Sequence, residues 1–521
     1  MHTEIYLDAN ATSSVLPAAI DAALAVLRDT FGNPSSSHAA GLRARRLLDD
    51  TRACARRVLG AGTGRLLFTS GATEGIQTAV LSALCALRER RAAGLPCGDV
   101  LLYGATEHKA VPESLAHWNR VLGTGLVLQA LPVDGNGRHR LDLLRELAPR
   151  TALLCTMAAN NESGVVSDLD GIAAVLDDTA SAALWMVDCV QALGKLPLAL
   201  SATRIDYAPF SGHKLYAPKG IGMLYVREGA PYTPLVCGGG QEAGQRSGTE
   251  NMAGIAALGA VLRALEQGGT FRAHAELAAC RDRLAAALRE AFPAIEFNTP
   301  FEHALPTTLN FSVPGVSGKE LLDLFDAAGI RVSAGSACSA AQAAPSYVLQ
   351  AMGLPDGRCA HAVRMSFGPL ADDAFIRVAC ARIIHCGHAL AVRPAIACPG
   401  TAAALPDLPD MDSDSDSDCI GIDAIGLGQF LDQHPGALLV DVREACEHAA
   451  GTPALHGRAS YNLPLSRLAE HAGWLRAEKR PLVFFCRSGN RSARAARLAQ
   501  ELGHPAVRHL AGGLALFPTT V

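Results

Sequence analysis

Several things are scarce in this chain of 521 residues, and each scarcity excludes something. Its 15 cysteines are odd in number, and no two stand in C-x-x-C spacing. That argues against a disulfide framework or a structural zinc cage and fits reduced thiols. There is no surplus of basic charge: 46 Lys and Arg face 50 Asp and Glu, for a formal net charge of −4. A general electrostatic affinity for nucleic acid or an anionic membrane is therefore not expected. The opening "MHTEIYLDANATSS" is acidic and polar where a secretory leader is basic and then apolar, so no export and a cytoplasmic location are expected. The uncharged run from Val332 to Pro355 carries too much Ser, Gln, Gly and Pro to span a bilayer. No internal repeat is visible. Lysine is rare against arginine, being confined to Lys109, Lys195, Lys214, Lys219, Lys319 and Lys479, so each one stands out as a candidate.

What is present is ample core material, 49% hydrophobic residues in a chain long enough for more than one domain. Up to about residue 395, short apolar runs such as "RLLFTS", "TALLCTM" and "AALWMVD" alternate with amphipathic stretches such as "AAGLRARRLLDDTRACARRVLG". This predicts an α/β domain with a largely parallel sheet. Then "RPAIACPGTAAALPDLPDMDSDSDSD" intervenes, too rich in Pro, Ala, Ser and Asp to bury itself, and reads as a flexible acidic linker over 396–420. Its aspartates do not make a calcium loop: counted from Asp412, the sixth position is Ser417 and the twelfth Asp423, where Gly and Glu are needed. Residues 421–521 form a second α/β unit of independent domain size.

Candidate chemistry in the first unit begins at "LLFTSGATEG". A strand ending near Thr69 and a helix opening near Thr73 aim backbone N–H groups at one spot, which suits a phosphate, although many such junctions bind nothing. In "AALWMVDCVQALGK", Asp188 falls at the carboxyl end of a buried strand, either as a ligand group needing a cationic partner or as a turn aspartate. In "SGHKLYAPKGIG", Lys214 lies between polar Ser211 and His213 and an apolar Gly-rich segment, a setting that lowers a lysine pKa and favours imine chemistry. Lysine, aspartate and helix-end anion site together meet the needs of pyridoxal phosphate.

On these motifs, and on "YLDANATS", "FGNPSSSH", "ATEHKAV", "NNESGVV", "RSGTEN" and "GSACSAA…PSYVL", residues from the N-terminal segment to about Arg382 resemble the cysteine desulfurases. These are class V aminotransferase-type enzymes of pyridoxal-phosphate fold-type I. The resemblance implies a large, mainly parallel sheet domain (about 15–260) and a small α/β domain (the N-terminal segment and about 261–395), together spanning 1–395. It implies that Lys214 holds the cofactor as a Schiff base, that Asp188 pairs with the ring nitrogen, and that His108 stacks on the ring and handles protons. Gln191 and Asn161 meet the ring oxygen. Ala72, Thr73, Ser211 and His213 hold the phosphate, joined by Thr249 of a second copy in a homodimer. Arg364 and Asn33 bind the substrate carboxylate. Spacing alone favours the plainer readings, His108 as a satisfied histidine, Arg364 as a surface ion pair and Asn33 as a turn former before Pro34; it is the resemblance that assigns them these roles.

The resemblance also explains Cys338 in "SAGSACSAAQAAPS", whose small uncharged neighbours suit neither a core nor a metal site. Its thiolate attacks the sulfur of L-cysteine, leaving alanine and an enzyme persulfide, and Ser333–Ser346 reads as a mobile loop. Ala343-Ala344 stand before Pro345 where the family usually has Leu-Glu.

In the second unit, "LVFFCRSGNRSARAARLAQELG" runs a strand into Cys486 and a tight loop into an amphipathic helix, converging N–H groups and a helix dipole on one sulfur. With "LLVDVREACEH", "GRASYNLPL" and "HLAGGLALF", it resembles a rhodanese domain. Cys486 is then a sulfur carrier cradled by Arg487, Ser488, Gly489, Asn490, Arg491 and Ser492, with Asp441 and Arg443 supporting fold and site. The spacing C-x4-R fits one sulfur atom rather than the phosphate enclosed by C-x5-R. A relay from Cys338 to Cys486 and on to an acceptor protein, a tRNA-modification enzyme or a small thiol is expected, with iron–sulfur assembly among the destinations. A linker of about 25 residues spans roughly 25–30 Å and supports such transfer. Alternatives are an independent rhodanese fed by thiosulfate or a small persulfide, and a selenocysteine lyase or aminotransferase with a docking module. No metal, membrane or direct nucleic-acid partner is expected.

Overall fold

The computed structural model describes residues 4–334, 345–391 and 421–517. Cys338 and the expected linker 396–420 lie outside the described residues.

Seven strands make the main sheet, in the spatial order Arg65–Thr69, Gly222–Val226, Tyr207–Ser211, Leu184–Asp188, Thr151–Met157, Val100–Gly104 and Val127–Leu131. Only Gly222–Val226 runs against its neighbours; the rest are parallel. Thr151–Met157 is buried at every position because helices cover both faces, and this is why such runs show no alternation. Ala39–Val58, Leu169–Asp178 and Met252–Gln267 pack on one face, Ala72–Ala92 and Ala110–Val121 on the other. The parallel strands share a carboxyl edge, so Thr69, Met157, Asp188 and Ser211 all end on the same side.

The smaller layer is an antiparallel sheet of Ser333–Ala334, Val363–Ser366, Thr308–Ser312 and Glu296–Phe297. The N-terminal Ile5–Tyr6 strand joins this part of the molecule by pairing with Ile330–Arg331. One expected boundary needs correction. The Met252–Gln267 helix crosses residue 260, and its Ile255, Leu258, Val261 and Leu262 bury against the main-sheet core, so the division falls after Gln267.

Residues 421–517 form a five-stranded parallel sheet ordered Gly421–Ile422, Val507–Leu510, Leu482–Phe485, Leu438–Asp441, Tyr461–Asn462. It too has apolar cores on both faces. Among the described residues, Asp373–Ala391 is the one helix long and apolar enough to cross a membrane. One face of it, Ile376, Ala379, Ile383, Cys386 and Ala389, is buried, and it packs against the His274–Ala291 helix and, from the C-terminal unit, Ala445–Ala450.

Candidate active site and a second sulfur site

A cavity of about 550 Å³ opens where the carboxyl edge of the main sheet meets the smaller sheet. Ala72, Thr73, His108, Asn161, Asp188, Gln191, Ser211, His213, Lys214 and Arg364 all line it. Lys214 ends a single 3-10 turn directly after the Tyr207–Ser211 strand. Its Nζ donates to the carbonyls of Asn10 and Ala11, both at 2.7 Å. The Asn10 carbonyl also accepts from Gln191 Nε2 at 3.2 Å. Behind Gln191, the buried Lys195 donates to Gln191 Oε1 at 2.6 Å, and burial, reinforced by the Lys214 and Arg364 cations, pushes its pKa down to about 7.

Asp188 closes its strand with Oδ1 accepting the Val190 N–H at 2.9 Å. Burial pushes its pKa up to about 6, opposed by that N–H and by the charge of Lys214. His108 accepts the Ala110 N–H on Nδ1 at 3.2 Å, which puts the proton of the neutral ring on Nε2. Burial and the Lys214 and Lys109 cations pull its pKa down. Burial likewise takes His213, whose Nδ1 faces Thr12 Oγ1 at 3.1 Å, to about 4.

The anion end of the cavity is the start of the Ala72–Ala92 helix, which opens at Gly71 with no side-chain cap, so its first-turn N–H groups face the cavity. Gly222 passes so close that a Cβ there would lie 2.7 Å from Gly71 Cα and 2.4 Å from the Phe210 carbonyl oxygen. At the opposite end, Arg364 is 1% exposed. Its Nη1 donates to the Asn161 carbonyl at 3.0 Å and its Nη2 to Asp8 Oδ1 at 2.6 Å and Ser333 Oγ at 2.7 Å. Its Nε has no acceptor among the described residues.

Asn33 is not among the residues lining the cavity, and Thr249 was expected at the cavity of a second copy rather than at this one. Asn33 is exposed, and its Oδ1 accepts the Ser35 N–H at 2.9 Å, so the side chain serves the Asn-Pro turn. Thr249 is also exposed, in the segment before Met252–Gln267. Conversely, sequence reasoning gave no role to Asn10, Lys195, Glu162 or Tyr347. Glu162 is buried and accepts from Ser346 Oγ at 2.7 Å, and the Tyr347 hydroxyl donates to the Glu107 carbonyl at 2.8 Å. Their signal lay inside quoted motifs, "DANATS", "QALGK", "NNESG" and "PSYVL", whose polar residues had no visible partner in sequence.

The second site is compact. The Leu482–Phe485 strand delivers Cys486, 1% exposed, into a turn that becomes the Asn490–Glu501 helix. Gly489, at φ +95°, donates its N–H to Cys486 Sγ at 3.2 Å, and Ser492 Oγ lies 3.6 Å from the same sulfur. Gly513 crosses beneath the loop, where a Cβ would lie 2.5 Å from the Cys486 and Arg487 carbonyl oxygens. This approach lets Leu514 and Ala515 donate to those carbonyls at 2.9 and 2.8 Å. Arg491 forks onto Glu447 at 2.6 and 2.8 Å. Asp441 and Arg443 are buried together and bonded at 2.7 Å; His448 and Thr452 complete their cluster, which supports the neighbouring backbone rather than touching the sulfur. Glu447, in "REACEH", was the residue missed here.

A parallel sheet whose carboxyl edge gathers a lysine, a buried aspartate and an uncapped helix start is the framework of a fold-type I pyridoxal-phosphate enzyme. Within that class the chain belongs to the class V aminotransferases: the aminotransferase class-V model matches residues 5–376, and the rhodanese-like domain model matches 427–518. A cysteine desulfurase of Gluconacetobacter diazotrophicus is 39% identical over 372 residues, covering 71% of this chain and 90% of its own length. The cysteine desulfurase NifS of Azotobacter vinelandii is 37% identical, covering 70% and 87%. Among solved structures, a NifS-like protein superposes with TM-score 0.65 at 31% identity, covering 73% of this chain and 98% of its own. DndA from Streptomyces lividans does so with TM-score 0.57 at 33% identity, covering 70% and 99%. The family's cofactor is pyridoxal phosphate, and the residues here fit it. The helix start lacks a cap, Asp188 keeps a carboxyl group in the cavity wall, and Asn161 Oδ1 is buried there without a partner among the described residues.

Proposed function

We propose that this chain is a cysteine desulfurase that converts L-cysteine to L-alanine, stores the sulfur as a persulfide on Cys338 and passes it to Cys486. Pyridoxal phosphate, when bound, supplies the electron sink that labilises bonds around the α-carbon of the amino acid. Ala72, Thr73, Ser211 and His213 are assigned to its phosphate, Asp188 to its ring nitrogen, Asn161 and Gln191 to its ring oxygen, and His108 to its face. Lys214 anchors it and moves the proton at the α-carbon; the Asn10 and Ala11 carbonyls orient its Nζ. Arg364 binds the substrate carboxylate. Thr249, exposed here, is assigned to the phosphate site of a second copy, which makes the working unit a homodimer.

The observation that carries the reading is the bond from Arg364 Nη2 to Ser333 Oγ at 2.7 Å. It ties the chain just before Cys338 to the substrate end of the cavity, and the four residues from Ala334 to Cys338 reach up to about 14 Å. In the first transfer the Cys338 thiolate takes the substrate sulfur, and the substrate carbon gains a proton in its place. L-cysteine plus thiol becomes L-alanine plus persulfide with no outside oxidant. In the second, the Cys486 thiolate attacks the terminal sulfur of that persulfide, the S–S bond breaks and Cys338 leaves as thiolate. Gly489 N–H and the start of Asn490–Glu501 favour the anionic sulfur so formed. Product analysis of the pyridoxal-phosphate-loaded enzyme with L-cysteine tests the first half. With dithiothreitol present to reduce the enzyme persulfide and release its sulfur as sulfide, alanine and sulfide in equal amounts are expected, and formation of a keto acid would instead identify an aminotransferase.

A further inference from the structure

The mouth of the Cys486 loop is not open to solvent on all sides. The Ala445–Ala450 helix, which begins two residues beyond the buried Asp441–Arg443 pair, sets Ala450 into the apolar core of the smaller layer that also holds Leu324 and Ile383. His385 Nε2 lies 3.2 Å from the Ala449 carbonyl. Gly451 comes so close that a Cβ on it would stand 2.3 Å from the Ala327 carbonyl oxygen; its backbone is extended, so only this approach requires the missing side chain. This seam carries the sulfur loop onto the Gly318–Ala327 helix. Arg487 places Nη1 3.0 Å from Asp323 Oδ1 and Nε 2.9 Å from Asp326 Oδ2. Arg491, at the other end of the loop, has Nη2 3.9 Å from Asp323 Oδ2, an oxygen also bonded by Lys319 at 2.5 Å. Asp326 is shared with Arg331, which leads into Ser333–Ala334. One carboxylate therefore bridges Arg487 and Arg491, setting a negative charge against the two cations that flank the sulfur cradle.

We propose that the Gly318–Ala327 helix is the docking surface for the chain's own Cys486 loop, and that docked Asp323 closes the cradle to small sulfur anions. The proposal rests on Cys486 being a sulfur carrier, and it makes the desulfurase the favoured donor. The loop is parked beside the strand that leads to Cys338, and sulfur passes when Asp323 gives way.

The test is the alkylation rate of Cys486, followed by peptide mass spectrometry on full-length holoenzyme without cysteine, using iodoacetate and iodoacetamide, which differ in charge but hardly in size. Asp323→Asn combined with Asp326→Asn is expected to speed iodoacetate at Cys486 about tenfold or more while changing iodoacetamide little. Gly451→Leu, which pries the seam apart without altering a charge, is expected to speed both. Raising salt should speed the wild-type reaction, since ion pairs at a partly exposed seam are screened. Alanine production by each variant reports an intact desulfurase fold. Unchanged Cys486 rates in both variants and across salt would overturn the dock. Because no persulfide is formed in this experiment, that outcome is separate from failure of the relay.

Discussion

The cavity around Lys214 is assembled from groups as distant in sequence as Asn10 and Arg364, whereas the Cys486 sulfur finds its hydrogen-bond partners between Gly489 and Ser492. The first holds several charges in a closed polar network: Lys195 and Lys214 near the Asn10 amide and carbonyl, Asp188 in the cavity wall, Arg364 on Asp8. The second needs little beyond backbone N–H groups and one arginine held by Glu447. The contrast follows from the chemistry proposed for each. Breaking a carbon–sulfur bond needs an amino acid held at its carboxylate and α-carbon together, so groups from both layers must converge. Receiving a sulfur atom needs one stabilised thiolate, which a strand–turn–helix supplies locally.

The difference is sharpest where one site is disabled. Lys214→Ala is expected to lower the rate of alanine formation by about 10²–10⁴-fold, the usual worth of a positioned proton carrier, while leaving iodoacetamide labelling of Cys486 unchanged. If labelling of Cys486 shifted as well, the two sites would not be independently built.

The same contrast decides what could be read in advance. The Cys486 loop is contiguous, so its cradle and its C-x4-R spacing were legible as written. Lys214 and Asp188 were legible too, because Asp188 ends a strand, and Lys214 the turn directly after one, at the edge where open α/β sheets bind ligands. Asn10 was not: its worth lies in a carbonyl that meets Lys214 and Gln191, 204 and 181 residues away. Asn33 was ambiguous because an Asn before Pro reads alike as ligand or turn; here its Oδ1 accepts the Ser35 N–H of the turn. Asp323 and Asp326 look like the solvated face of an amphipathic helix until the C-terminal unit is set against them. The domain boundary slipped for a related reason, since nothing in "MAGIAALGAVLRALEQ" tells which layer its apolar side will meet.

A smaller effect separates the sites by stability. Arg491→Ala would leave Glu447 buried without its partner, and the C-terminal unit should lose about 3 kcal/mol in denaturant unfolding. The cavity should keep its cofactor absorbance; loss of cofactor with the arginine would contradict the separation.

The smallest effect is a pH slope confined to the cavity. Lys195 falls from 10.5 unfolded to about 7 folded, so between those values the unfolded chain binds the extra proton. The stability it contributes therefore rises with pH from about 7 towards 10.5, and below about 7 its burial penalty is fully in force. Wild-type Tm should gain on that of Lys195→Met as pH is raised from 7 to about 9. A difference that shrinks over that range would reverse the sign and remove Lys195 from the account.

Sulfur movement between the two sites is the central claim, and peptide-level mapping of persulfides tests it most directly. The holoenzyme is mixed with L-cysteine without reductant, beside Cys338→Ala. The account predicts persulfide on both Cys338 and Cys486 in the wild type and on neither in the variant. Persulfide confined to Cys338 in the wild type, or appearing on Cys486 in the variant, would contradict it.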